Sequence, residues 1–533
     1  MSRSATQRQP GSASLRVMSV TSATAAVDVT PPQEAPGVRR TGPVEGLLRE
    51  VWADARTRAE GHLATYIPQL ALADPSTFGV AVTTLDGRTY SAGDIVPFTI
   101  QSVSKPYVYA LALAAHGVET VLGRIGAEPT GNAFNTISVD AQGRPFNPMV
   151  NAGAILTTSM VADDSTETGF ASVLDGLSAF AGRQLSVDEQ VYASERETGD
   201  RNRAIAYLLA SVGALPGDVE RILAAYFRQC AVEVTACDLA VMAATLANGG
   251  VNPVTRVRVV DPEVVSRVLT VMATCGMYDF AGEWLFRVGL PAKSGVSGGI
   301  SAVHPGRIGI GAHSPLLDER GNSVRAIAFC EGLSSRLGMH LFGGPSAGAI
   351  GTIRSGRGGT LRSKRVRRAV EREVLDAEGH RIAVHGLPDG LDVTTAERLV
   401  RAVVDDPTRP DWHVFDLSRV RQVDKASVTL LTSLLAELRG DGAMTVLVYP
   451  RATTLRRAVN SVATVCDTAQ TDPDTALQWC EDSLLRAAGF ADGPPDGLVA
   501  FAEQDLLLAI SPAAVAALEA AAETRVFPAG SQV

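Results

Sequence analysis

Apolar residues first recur at helical spacing just after Pro43, where Val44, Leu47, Leu48, Val51 and Trp52 form one stripe. Phe78-Gly-Val-Ala-Val-Thr-Thr then reads as a strand, and Leu85-Asp-Gly-Arg behind it as a hairpin turn. Helical runs follow at 106–115, 150–162, 204–213, 219–228 and 237–247. Strands are expected again at 296–303, 307–313 and 324–330, with Asp318-Glu-Arg-Gly-Asn as the turn between the last two, and 332–342 reads as a closing helix. A strand, many helices and then an antiparallel run of strands predict an α/β unit: a sheet backed by helices, with a helical insertion between its first and later strands.

The pattern changes further along. Gly356, Gly358 and Gly359 lie among Arg354, Arg357, Arg362, Lys364, Arg365, Arg367 and Arg368, so 351–373 reads as a basic flexible linker. From Val374 strands and helices alternate: Arg381-Ile-Ala-Val, a helix over 393–404, Trp412-His-Val-Phe-Asp-Leu, a helix over 426–438, and Met444-Thr-Val-Leu-Val-Tyr. This predicts a small α/β domain over 374–480. Residues 481–533 read as an Ala-rich helical tail, and residues 1–42, rich in Ser, Thr, Pro, Ala and Arg, as a disordered one. The first α/β unit therefore spans 43–350.

Composition narrows the function classes. The 533 residues carry a net charge of -9, which argues against nucleic acid as a partner, since phosphate binding needs a broad basic surface. No uncharged apolar run approaches the roughly 20 residues of a membrane-spanning helix, so no membrane insertion is expected. The six cysteines form no CxxC pair and no histidine cluster has zinc spacing. A cytoplasmic protein without metal or cofactor is the expectation.

The chemistry begins at Phe98-Thr-Ile-Gln-Ser-Val-Ser-Lys-Pro. Ser102 and Lys105, three residues apart at the mouth of a helix, share a face. A serine hydroxyl needs a base to become a nucleophile, and a lysine can serve once burial or positive charge lowers its pKa. Alone, the pair is a weak signal and reads as a capping serine and a surface lysine. Lys293-Ser-Gly-Val-Ser-Gly-Gly-Ile, opening a later strand, adds the second half of the pattern seen in β-lactamases and penicillin-binding proteins. Their Ser-Asp-Asn motif is not visible in between, which argues against a β-lactam enzyme. His304 and His313 receive no role.

Four more segments make the pattern specific: Phe146-Asn-Pro-Met-Val-Asn-Ala-Gly-Ala-Ile, Ser194-Glu-Arg-Glu-Thr-Gly-Asp-Arg-Asn-Arg-Ala, Tyr226-Phe-Arg-Gln-Cys and Cys275-Gly-Met-Tyr-Asp-Phe-Ala-Gly. With the two motifs above, this set resembles the bacterial serine glutaminase family over residues 43–350. The resemblance implies a β-lactamase/transpeptidase-like fold and hydrolysis of L-glutamine to L-glutamate and ammonia. It implies Ser102 as nucleophile, Lys105 as general base and Tyr226 as a proton relay. The backbone N–H groups of Ser102 and Val296 would form the oxyanion hole, and Asn151, Glu195, Asn202 and Tyr278 would contact substrate. Free glutamine supports this by its chemistry, because its ammonium suits Glu195 and its carboxylate suits amide and phenol donors. Outside that context Asn151 and Asn202 read as helix caps, Glu195 as a surface residue and the two tyrosines as core.

Family relatives suggest a dimer or tetramer. Residues 374–480 resemble a STAS domain on Val414-Phe-Asp-Leu-Ser-Arg-Val-Arg-Gln-Val-Asp424-Lys-Ala-Ser, with Ala426 in place of the phosphoacceptor, leaving a protein or nucleotide ligand open. Leu506-Leu-Leu-Ala-Ile-Ser-Pro through Phe527-Pro-Ala-Gly is similar to the start of a cyclic-nucleotide-binding domain, without the phosphate-binding cassette. Two other functions compete: another Ser-Lys amidase or β-lactam-binding enzyme, and a non-enzymatic glutaminase-like binding module on a STAS scaffold.

Overall fold

Every residue of the strand Gly79–Thr84 is buried, which is why its sequence shows no inside–outside alternation. In the computed structural model, which describes residues 42–130, 139–162, 169–342, 353–365, 367–490, 507 and 510–522, this strand is second in a five-stranded antiparallel sheet. The spatial order is Thr89–Gly93, Gly79–Thr84, Ile308–His313, Gly299–His304 and Ala292–Ser294. One face takes the helix Ala236–Ala247, opened by a capping box between Thr235 and Asp238. Contact there is close because Gly309 and Gly311 line it: a Cβ on either would stand 2.1 Å from helix backbone. The other face takes Pro43–Arg56 and Val324–Leu337. The helical insertion, from Lys105 to Cys275, builds a second apolar core around Tyr107, Ile155, Phe180, Leu209 and Phe227.

Val324–Leu337 corrects the sequence reading, which took 324–330 as a strand. The alternation Val324, Ala326, Ala328, Cys330 mimics period two. The buried set, however, is Ala326, Phe329, Cys330, Leu333 and Leu337, which is helical spacing. Ser323 caps the helix through the Ala326 N–H, and Gly338 ends it at φ 57°. The expected closing helix at 332–342 is its second half. The expected strand at 296–303 begins three residues later, because Gly295–Gly298 form a turn.

The C-terminal part carries four parallel strands in the order Thr468–Gln470, Met444–Val448, Trp412–Asp416 and Ile382–Gly386, with Arg354–Arg357 added antiparallel at the edge. Val393–Val404 and Lys425–Gly440 cover one face; Ala369–Glu378 and Pro473–Ala487 cover the other. The first pair also packs on Pro43–Arg56 and Val324–Leu337, so one apolar core continues from the first sheet to the second. Polar contacts flank that junction. Tyr90 donates to Glu397 Oε1 at 2.5 Å, and Arg307 lies 3.7 Å and 3.9 Å from the helix-capping carboxylates of Asp392 and Asp424.

Of the stretch expected as a flexible linker, Arg354–Arg357 is thus built into the second sheet and its last residues open the helix Ala369–Glu378. Arg365 and Arg367 have partners that composition cannot show, because they come from a helix more than 100 residues on. Buried Arg367 pairs with Glu481 at 2.9 Å and with Asp482, while Glu481, 0% exposed, also accepts from the Ser363 N–H and hydroxyl. Arg367→Met would leave Glu481 buried without its counter-charge. The expected loss is about 3–5 kcal/mol of stability, read by urea unfolding. Replacing the exposed Arg354 by Ala should cost less than about 0.5 kcal/mol.

Of the C-terminal tail beyond 490, the helix Pro512–Ala521 is described; residues 523–530 of the segment likened to a cyclic-nucleotide-binding domain lie outside the described residues, as do residues 1–41 of the N-terminal tail. All six cysteines are free. No helix among the described residues is long and apolar enough to cross a membrane.

Candidate active site

The strand Phe98–Thr99 runs into a 3-10 turn, Gln101–Ser104, and then directly into the helix Lys105–His116. Gln101 makes the corner at φ 48°, a left-handed conformation that costs a bulky residue roughly 1–3 kcal/mol and persists only where surroundings enforce it. All residues from Ile100 to Lys105 are buried. Ser104, the other hydroxyl of this turn, is committed: it donates to Gln101 O at 2.8 Å and accepts from Gln229 at 3.0 Å.

Lys105 is 0% exposed. Its Nζ donates to Asn151 Oδ1 at 2.7 Å and to Met149 O at 3.1 Å. Burial pulls its pKa down to about 8. Asn151 opens the helix Asn151–Val161, yet its side chain caps nothing; its amide instead donates to Asn202 Oδ1 at 2.8 Å. Asn202 likewise lies inside a helix, Asp200–Ser211, rather than at its cap.

Glu195 is 2% exposed on the inner side of Glu189–Thr198, not at the surface. Burial raises its pKa to about 7, against the opposing hydrogen bond from Tyr66 and the charge of Lys105. Tyr66 was missed by sequence reasoning. Its hydroxyl reaches both Gln101 Oε1 and Glu195 Oε1 at 3.2 Å, although 52% of the residue is exposed. It lies in an irregular segment with no periodicity to flag it. Gln101 was within a quoted motif but carried no expected role.

Tyr226 faces inward from Val219–Cys230, beside the Cys230 thiol and within electrostatic reach of Glu195; burial holds its phenol well above the usual range. Tyr278 occupies another left-handed corner, φ 55°, donates to Ser294 O at 3.1 Å and shares a hydrogen bond with Ser102. Burial pushes its pKa up to about 12. Val296 lies in the turn after Ala292–Ser294, which presses on the Ser102 segment: a Cβ on Gly295 would be 3.4 Å from Ser102 N. Among the described residues, neither the Ser102 nor the Val296 N–H has a backbone acceptor. A groove lined by Thr130, Met149, Val150, Cys275 and Tyr278 opens beside these groups.

Six of the eight sequence-derived residues lie in short polar chains: Lys105 to Asn151 to Asn202, Ser102 to Tyr278, and Glu195 through Tyr66 to Gln101, next to Ser102; Tyr226 lies within electrostatic reach of Glu195, and Val296 in the turn beside the Ser102 segment. A hydroxyl, a buried amine and two backbone N–H donors can carry out acyl transfer on an amide, and Glu195 with the amide groups offers both signs of complementarity to a small zwitterion.

The solved structures this chain resembles have the same architecture. The probable glutaminase YbaS aligns with a TM-score of 0.55 and 41% identity, over 57% of this chain and 99% of that one. The structure of Mglu aligns with a TM-score of 0.55 and 39% identity, over 77% of this chain and 98% of that one. The α/β fold is therefore the β-lactamase-like fold of solved glutaminases. Glutaminase 1 of Bradyrhizobium diazoefficiens is 42% identical over 95% of this chain and 83% of its own length, and the glutaminase of Microcystis aeruginosa is 50% identical over 55% of this chain and 87% of its own length. The glutaminase family description matches residues 61–342, and the chain belongs to that family.

Proposed function

We propose that the protein hydrolyses L-glutamine to L-glutamate and ammonia through an acyl-enzyme on Ser102, with Lys105 as the general base. The observation that carries the mechanism is how Lys105 is held. It is fully buried, its Nζ donates to Met149 O and Asn151 Oδ1, and burial pulls its pKa down to about 8, so the neutral amine that can take a proton is accessible near neutral pH. Ser102 Oγ attacks the γ-carboxamide carbon as its proton passes to Lys105. The oxygen of the tetrahedral intermediate is stabilised by the Ser102 and Val296 N–H groups. As the C–N bond breaks, the proton reaches the leaving nitrogen, with Tyr226 as relay, and ammonia departs. Water then attacks the ester, Lys105 takes its proton, and glutamate leaves as Ser102 recovers its hydrogen.

Glu195 pairs with the α-ammonium, and Asn151, Asn202, Tyr278 and Tyr66 orient the rest of the substrate. The test is ammonia release by the purified full chain from L-glutamine, compared with the analogue lacking the α-amino group and with acylation by penicillin. Turnover of glutamine, with at least a roughly 100-fold lower kcat/KM for the analogue, is expected from loss of a buried charge-assisted bond. Equal turnover of the two, or penicillin acylation without glutamine turnover, would count for the other amidase readings.

The C-terminal α/β unit, 374–480, is proposed as a STAS-like regulatory domain. Its parallel strands and the capping of Lys425–Gly440 by Asp424, which accepts from the Ser427 N–H at 2.7 Å, support that reading. Its ligand would be a protein or a nucleotide. A cytoplasmic dimer or tetramer is proposed for the whole chain.

A further inference from the structure

The residue pattern gives His313 no role, yet its ring touches both segments that supply the oxyanion donors. It ends the strand Ile308–His313, in which every second residue faces the helix Ala236–Ala247. On that face Gly309 and Gly311 carry no side chain, and helix backbone fills the space, from Ala244 at Gly309 to Ala236 at Gly311. His313, next on the same face, therefore lies past the start of the helix. There its ring stacks on the Phe98 ring, with centroids 3.7 Å apart and 6° between the planes. Phe98 opens the strand that runs into Ser102.

The edge of the ring is spent on the turn Gly295–Gly298. Nε2 lies 3.1 Å from Ser297 O and carries the proton, because a carbonyl only accepts. Nδ1 is then a buried lone pair without a hydrogen-bond partner among the described residues. Burial pulls the His313 pKa down to about 4, so the ring stays neutral at neutral pH. The effect on the turn runs from peptide to peptide. A peptide unit is planar, so holding its oxygen fixes the direction of its N–H. Ser297 O shares a plane with the Gly298 N–H, which donates to Gly295 O at 2.9 Å. Gly295 O in turn shares a plane with the Val296 N–H. Two rigid planes joined by one hydrogen bond thus connect the imidazole to that donor. The other backbone bonds of the turn, Gly295 N–H to Gly299 O at 2.9 Å and Ser314 N–H to Gly298 O at 3.1 Å, hold its two ends.

We propose that His313 is a positioning residue for the amide hydrolysis: bonded to the Ser297 carbonyl and stacked on Phe98, it sets the Val296 N–H and the Ser102 N–H at the spacing an oxyanion needs. This rests on Ser102 being the nucleophile and on those two N–H groups receiving the oxygen. The oxygen bears full charge only in the tetrahedral state, so the loss should fall on kcat rather than on the binding of planar ligands.

The test uses His313→Ala, His313→Phe and His313→Gln in the full chain. It reads kcat and KM for L-glutamine and the inhibition constants of two ligands. One is L-glutamate, whose carboxylate is planar. The other is the boronic acid analogue of glutamine, in which boron replaces the γ-carboxamide carbon, bonds to Ser102 Oγ as the hydroxyl proton passes to Lys105, and becomes a tetrahedral anion. His313→Ala is expected to lower kcat roughly 10- to 100-fold while KM changes less than about threefold. The boronate should weaken by a similar factor, and glutamate by less than about threefold. His313→Phe keeps a ring on Phe98 and loses the donor, and should lower kcat by at least about threefold. His313→Gln, whose side-chain amide offers a donor for Ser297 O, should recover part of what His313→Ala loses. Native kcat in His313→Phe would overturn the proposal. So would equal weakening of boronate and glutamate, the signature of a pocket that has merely loosened. If His313→Ala does not fold, the other two variants decide on the same readings. Ser102→Ala separates the two layers. An inactive Ser102→Ala with His313 variants of native kcat removes only the positioning role, whereas an active Ser102→Ala removes the reading beneath it.

Discussion

Ser102→Ala is expected to lower kcat for L-glutamine by about 10⁴-fold or more, and Lys105→Met by a similar factor, with the double variant hardly worse than either. Hydroxyl and amine act as one device: the attack needs the oxygen, and the oxygen needs somewhere to send its proton. Neither loss has a substitute nearby. Ser104 is two residues away, but its hydroxyl is bound to Gln101 O and to Gln229. The buried amine of Lys293 is engaged with Ser294 O. Folding should survive, because Ser102 is a small residue and methionine fills the lysine's volume without its charge. A fluorescent or mass-detected acyl-enzyme should be absent from Ser102→Ala. In the native protein kcat/KM should rise with pH and level off above about pH 8, because the base acts only when unprotonated and burial has lowered Lys105 to about 8. Residual kcat above roughly 1% of native in Ser102→Ala would remove the hydroxyl from the mechanism.

How much of this was legible in the residues depended on range. The nucleophile segment was legible because Ser102 and Lys105 lie three apart, and local spacing alone puts them on one face. Strands 79–84 and 308–313, the helix 393–404 and the strands 412–416 and 444–448 were legible for the same reason: their patterns complete themselves within one element. Two errors share the opposite cause. The stretch 324–330 carries a period-two pattern that is overruled only by Leu333 and Leu337 beyond it. The basic run at 351–373 looks free of structure until Glu481 and Asp482 are brought beside it. Tyr66 illustrates the limit at the site. Half of it is exposed, no motif surrounds it, and only its hydroxyl enters the pocket, so nothing short of three dimensions connects it with Glu195. The side-chain direction of Asn151 is a milder case, since a helix-opening asparagine normally caps, and this one is turned to Lys105.

Glu195→Gln is expected to weaken glutamine binding while making the empty protein more stable. Nearly full burial raises the Glu195 pKa from 4.5 to about 7, so the folded chain keeps this group protonated at pH values where the unfolded chain has released the proton. The sign follows from that difference. Stability linked to this group is fully present below about pH 4.5, declines as pH rises, and is lost once pH passes about 7. The carboxylate then costs up to about 3 kcal/mol. Glutamine, which presents no such charge and keeps the acceptor for Tyr66, removes the penalty. The variant should therefore melt higher than native at pH 8 without ligand, and the gap should close towards pH 5. Saturating L-glutamine should reverse the order at pH 8, because the substrate ammonium supplies the counter-charge the empty site lacks. KM should rise by roughly 10- to 100-fold, the worth of one buried charge-assisted hydrogen bond. Thermal melts at the two pH values, with and without glutamine, read all of this in one series. A melting gap that ignores pH, or a KM that does not move, would mean that this carboxylate faces no ammonium. Burying an acid without its partner makes sense only if the partner arrives with the substrate: the empty pocket holds an unpaired charge that binding satisfies, which favours a ligand with a free α-ammonium over one without.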